Sequence, residues 1–183
     1  MGIRLYLAFF LFVCNVCGGQ AVTQSSTSVS AVNLTGAWTL DMKASDFGGD
    51  KKELVYDSMT LLIAQDGPVL KISRTIGQKK KARTQSLTYY TDGRGETNPA
   101  TFGTGQIQSK TLWQANIVIT KGTQSTQTFG DVLISDVTDK WELSDDGNTL
   151  IEYSSSSSPR SKFGNVNMPV GPLNMRRVFR KQP

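Results

Sequence analysis

The chain of 183 residues contains no histidine. That absence removes Ser-His-Asp and Cys-His catalysis, imidazole bases working near neutral pH, and most zinc and copper sites. Any chemistry would fall to carboxylates, lysine, tyrosine or Ser-Lys pairs. Cysteine is nearly missing too: the two present, Cys14 and Cys17, both sit close to the N-terminus. Amphipathic helical periodicity is absent, and no apolar run reaches the ~20 residues that span a bilayer. Charge of one sign is not dominant either: the formal net charge is +5, enough for solubility and weak attraction to anionic surfaces, with no specific partner implied.

What is present begins with a leader. MGIR carries one early cation, LYLAFFLFVCNVC is apolar, and GGQA supplies small residues. This is the layout of a secretory signal, expected over 1–21 and cleaved after Gly18 or Ala21. A lipoprotein anchor at Cys14 or Cys17 is the alternative. Removal of the segment takes Arg4 with it, so the net charge falls by one to +4. It also takes both cysteines, so the mature fold would rest on its core without disulfides or thiolate chemistry. Residues 22–32 are small and polar and read as a flexible lead-in. One domain is expected over 33–183.

In LTGAWTLD, Leu34, Gly36, Trp38 and Leu40 share one face, the pattern of a half-buried strand. Met59, Leu61 and Ile63 alternate before Asp66-Gly67, and Leu70, Ile72 and Ile76 alternate after it, which reads as a β-hairpin. QKKKAR connects to TQSLTYYT, and Asp92-Gly93 turns again. ETNPATFGTGQ suggests bulges or an edge strand. QSKTLW and NIVITKG form a hairpin across Gln114-Ala115. VLISDVTDKWELS runs long, Asp146-Gly147-Asn148 turns it into TLIEYSSSS, a polar irregular segment covers 154–172, and NMRRVFRKQ is the last strand. The fold class is therefore all-β: an antiparallel up-and-down meander of eight to ten strands, with a barrel favoured over a sandwich because closure removes exposed edges.

These residues resemble the lipocalin or calycin barrel, and more closely the secreted bacterial lipocalin-like proteins. The carriers of the likeness are L-T-G-x-W-x-L-D, K-x-S-D-F, the D-G turns and the terminal R-x-F-x-R strand. The resemblance implies that Trp38, beside Gly36, closes the barrel base and that an arginine of the last strand packs across it. Arg177 shares a face with Met175 and Phe179 and is the choice, with Arg176 or Arg180 if a bulge shifts the register. The middle motif has no counterpart beyond Thr138-Asp139, and a Ser/Pro/Gly-rich segment stands where such barrels carry a C-terminal helix.

The aromatics Tyr89, Tyr90, Phe102, Trp113, Phe129, Trp141 and Tyr153 spread over the later strands. Tyr89, Phe102, Trp113, Trp141 and Tyr153 are the candidate ligand-lining residues, since an eight-stranded barrel is filled by side chains or holds one small ligand. KKKAR at 79–83 reads as a solvated loop, or as a contact for anionic lipid, polysaccharide or nucleic acid, the last disfavoured without interleaved aromatics. Asp131, Asp136, Asp139, Glu142, Asp145 and Asp146 lack calcium-loop spacing, so no metal, catalytic residue or cofactor is assigned. Asn33-Leu34-Thr35 is a formal glycosylation acceptor. The expected function is binding of a small apolar or amphipathic ligand in a barrel pocket by an exported, secreted or periplasmic monomer that is not an enzyme, binds no nucleic acid and is not embedded in a membrane. The alternative is a structural or protein-interaction barrel with a filled interior.

Overall fold

The computed structural model describes residues 32–48, 57–100, 104–128, 130–162 and 173–183. The expected signal segment 1–21 and most of the lead-in lie outside these. Eleven strands follow in chain order: β1 (Gly36–Leu40), β2 (Ser58–Asp66), β3 (Val69–Gln78), β4 (Lys81–Tyr90), β5 (Glu96–Pro99), β6 (Gln106–Gln114), β7 (Ile117–Thr128), β8 (Asp131–Leu143), β9 (Thr149–Ser156), β10 (Arg160–Ser161) and β11 (Leu173–Lys181). The described residues contain no helix. All strands belong to one sheet in the order β4-β3-β2-β1-β11-β9-β8-β7-β6-β5, with β10 beside β8. Every pairing is antiparallel, so the chain meanders except where β1 meets β11. The fold is the expected all-β barrel, nearly closed, with β4 and β5 as the two ends of the path.

The core follows from the alternation. Met59, Leu61 and Ile63 of β2 face Ile76, Arg74 and Ile72 of β3 in register, and Ile72 faces Leu87 of β4. These side chains are buried while those between them are exposed or half-exposed. With Trp38, Leu150, Trp141 and Phe179 the apolar ones among them form one hydrophobic cluster. At ~25 cal/mol per Å² of apolar surface removed from water, this burial is the main favourable contribution, since no cysteine occurs among the described residues.

Two expectations are adjusted by tertiary pairing. Ser154–Ser156, read as irregular, extend β9, because they pair with Asp139, Thr138 and Val137 on one side and with Met175, Asn174 and Leu173 on the other. Backbone ladders on both edges override the weak strand preference of serine. The β6–β7 turn sits on Ala115, at φ 54°, rather than across Gln114-Ala115, since Gln114 pairs with Ile117.

The seam between β4 and β5 is closed by side chains. The Asn98 amide accepts from Thr88 N at 2.8 Å and donates to Thr88 O at 2.9 Å, mimicking a strand neighbour. Tyr90 N donates to Glu96 Oε2 at 3.1 Å, and Gln85 Nε2 donates to Ala100 O at 2.8 Å. The side chains of three residues, Asn98, Glu96 and Gln85, thereby satisfy backbone groups that would otherwise be orphaned.

Candidate functional site

Gly36 and Trp38 lie where β1 passes between β2 and β11. The Trp38 ring is fully buried, and its Nε1 donates to Leu34 O at 3.1 Å. Gly36 has φ +149°, and a Cβ there would approach Lys181 Cε to 3.2 Å and Trp38 Nε1 to 3.5 Å. A side chain would thus disturb both the backbone and the packing around the plug. The cation over the indole is Lys181, whose Nζ stands 5.5 Å from the ring centroid and whose backbone lies opposite Trp38 in register.

Arg177 is placed differently from the expectation of an arginine across Trp38. It faces inward from β11 opposite Glu152 of β9 and donates from Nη1 to Glu152 Oε2 at 2.6 Å, with Nη2 3.5 Å from Met175 Sδ. Arg74 of β3 reaches the other carboxylate oxygen, Nη2 to Oε1, at 3.6 Å. All three side chains are at most 4% exposed. One carboxylate therefore holds two guanidinium groups inside the barrel, away from the water that would screen them.

Beside this cluster runs a row of polar groups. Register sets Thr111, Thr120, Asp139, Ser154 and Met175 side by side across β6, β7, β8, β9 and β11. Thr111 Oγ1 lies 2.9 Å from Thr120 Oγ1, and Thr111 and Ser109 both donate to Glu96 Oε1, at 2.8 and 2.7 Å. The Asp139 carboxyl is pushed up to about 6 by burial first and by the Glu152 charge next, while a hydrogen bond with Ser154 and the charges of Arg177 and Arg74 pull the other way. The interior thus has an aliphatic wall from β2–β4 and a hydroxyl and carboxyl wall from β5–β9.

The candidate lining aromatics divide. Tyr89 is buried in the core, and burial holds its phenol above the usual range. Trp141 is buried and stacks on Phe179, with centroids 6.3 Å apart and an interplanar angle of 23°. Trp113 is partly buried against the same cluster. Tyr153 points outward, 39% exposed, because it alternates with the inward Glu152 and Ser154. It lines a groove of about 400 Å³ with Ile117, Lys140 and Glu142. Phe102 lies outside the described residues, as does Phe129. Two further grooves, of about 480 and 550 Å³, run along β6–β8 and β5–β7. None of the three takes in Trp38, Tyr89 or Trp141.

Arg74, Glu152, Thr111 and Thr120 were missed by sequence reasoning, which weighed Asp139 only among carboxylates without metal spacing and beside Thr138 as a middle-motif counterpart. A signal existed for two of them: Arg74 continues the face of Leu70, Ile72 and Ile76, and Glu152 continues that of Leu150. A charge in phase with core positions marks a buried, paired group. Among the described residues no three His, Cys, Asp or Glu side chains gather as metal ligands.

No family model and no curated protein matches the chain in sequence. Among solved structures, the fold is similar to that of zebrafish ileal bile acid-binding protein complexed with cholic acid. The two share 13% identity, and the match covers 81% of this chain and 98% of that one with a TM-score of 0.50. The likeness is one of fold: this chain, too, is an all-β, nearly closed antiparallel barrel.

Proposed function

We propose that the protein is an exported binding protein, not an enzyme, that takes a small amphipathic molecule with an anionic end into its barrel. The observation that carries this reading is the gathering of Arg74 and Arg177 on the single carboxylate of Glu152 inside a barrel whose β2–β4 wall is aliphatic. A buried ion cluster of this kind contributes little net stability compared with packed hydrocarbon, so its retention points to a use. Two guanidinium groups present a planar donor set suited to a carboxylate, sulfonate or phosphate, and the aliphatic wall of β2–β4 suits an apolar body. The structural neighbour, a barrel complexed with cholic acid, supports the class of ligand. Export rests on the leader expected over 1–21.

Thermal unfolding with palmitate, hexadecanol and cholate as probes tests the proposal. An anionic amphiphile at about 100 times its Kd raises stability by ~2.7 kcal/mol, and palmitate is expected to raise Tm more than hexadecanol. If no probe shifts Tm, the reading fails. The alternative, a filled barrel that acts through its outer surface, is favoured by the groove at Tyr153, Lys140 and Glu142, which is open to the outside; it predicts no Tm shift with any of the three probes.

A further inference from the structure

The β3–β4 connection is a two-residue turn made of Lys79 and Lys80, both in the left-handed backbone region, at φ 43° and 67°. A turn of this kind favours Asn-Gly, because glycine has no Cβ and the short asparagine amide hydrogen-bonds locally, whereas a lysine Cβ crowds the following carbonyl without that compensation. Among the described residues the other non-glycine at positive φ is Ala115, so this is the one place where two such residues adjoin. Lys81 and Arg83 follow at once, and all four cationic residues are exposed.

The unfavourable turn is held from outside. Asp57 N donates to Gly77 O at 3.0 Å, and Asp57 Oδ2 accepts from Lys79 N at 3.2 Å. Gly77 packs closely on the segment before β2, since a Cβ there would meet Ser58 Oγ at 2.2 Å and force that side chain to move. A conformation kept against its intrinsic cost by its surroundings, with like charges concentrated in it, points to selection for the charges rather than for the turn. Among the described residues, Asp57 stands at the turn itself, Asp136 pairs with Arg160 at 2.9 Å, and Asp131 accepts from Val132 N and Ser161 Oγ.

The geometry points to the Lys79-Lys80 tip as a docking point for an anionic lipid bilayer. The four cations fall within five residues at the end of one hairpin, so a flat array of head groups meets them together, whereas a thread-like polyanion needs a longer track of cations. The tip also lies at the end of the barrel opposite the turns at Gly67 and Gly147, and it is independent of the interior cluster.

Co-sedimentation with vesicles of phosphatidylglycerol mixed with phosphatidylcholine, against pure phosphatidylcholine, tests this. The protein is expected to bind the mixed vesicles, to release them as salt rises, and to ignore the pure ones. The double variant Lys79→Asn/Lys80→Gly is expected to bind about 25-fold more weakly, from about fivefold per lysine at an anionic surface, and to melt at a higher temperature because the turn is relaxed. Lys81→Gln, which leaves the turn alone, is expected to bind about fivefold more weakly. Equal binding to both vesicle types overturns the proposal, as does undiminished binding by the double variant. Binding to heparin without binding to the vesicles overturns the bilayer as partner, and an unraised Tm in the double variant overturns the inference from backbone cost.

Discussion

Glu152 is the residue on which the interior depends. It is 1% exposed and accepts two guanidinium groups. Glu152→Gln keeps the volume and removes the charge, leaving Arg74 and Arg177 without their common counter-ion. A loss of ~3–5 kcal/mol is expected, since removing one partner of a buried pair leaves the other uncompensated; urea unfolding measures it. Asp139 acts in the opposite sense. Its carboxyl rises from an ordinary 3.8 to about 6 in the fold, so the folded state holds a proton that the unfolded chain has lost between those values. Stability therefore falls as pH rises from about 4 to about 6 and stays lower above that window. In Asp139→Asn this decline should be absent, and the variant should gain on the parent at pH 7 but not at pH 3.5, a comparison made by Tm across the range. Arg74, Glu152 and Asp139 were open to inspection as charges in phase with apolar neighbours, yet periodicity alone does not tell which of two faces of β8 turns inward. Pairing with β7 and β9 does.

At the scale of elements, the weak line is the seam between β4 and β5, where side chains stand in for a ladder. Asn98 is 3% exposed and satisfies both polar groups of Thr88. Asn98→Ala orphans a backbone N–H and C=O, each costing ~1–3 kcal/mol if it stays dry. Water entering the seam would relieve that cost. The expected outcome is faster amide hydrogen exchange at Thr88, with the amides of Thr60 and Leu62 inside the β1–β2–β3 ladders little changed. Equal acceleration in both places would show that the seam does not open on its own. The stretch with Pro99, Gly103 and Gly105 was expected to hold bulges or an edge strand, and β5 does end the path of the sheet. Its Asn98 and Glu96 had no local signal, because their partners Thr88, Tyr90, Ser109 and Thr111 are 6 to 15 residues away along the chain.

For the whole molecule, closure depends on residues far apart in sequence. β1 pairs with β11 through Trp38 and Lys181, Thr39 and Arg180, Leu40 and Phe179. The segment before β2 is tied to β11 as well: Asp46 and Arg176 exchange backbone hydrogen bonds of 2.8 and 2.7 Å, and Val178 N donates to Ser45 Oγ at 2.9 Å. A chain ending at Lys162 lacks Arg177 and Phe179, exposes one edge of β1 and leaves Glu152 with Arg74 as its remaining guanidinium partner from the cluster. Such a chain is expected to show no cooperative thermal transition by circular dichroism. A sharp transition would mean that the remaining strands close without β11. Pairings of this range make folding slow, on the order of milliseconds to seconds, since loop closure precedes the contacts that reward it.

Alternation, turn residues and composition determined by themselves that the chain is an antiparallel all-β meander, that Trp38 is buried and that histidine chemistry is excluded. These are local or compositional properties, written in the spacing of two residues and in D-G turns. The tertiary structure alone decided which cation covers Trp38, that Arg177 belongs with Glu152 and Arg74, and that Tyr153 faces outward. Each of those depends on register between strands distant in the chain, and a shift of one residue exchanges the two faces of a strand. The same holds for KKKAR: composition showed a basic run, and only the backbone angles showed that its first two lysines occupy a turn they do not favour.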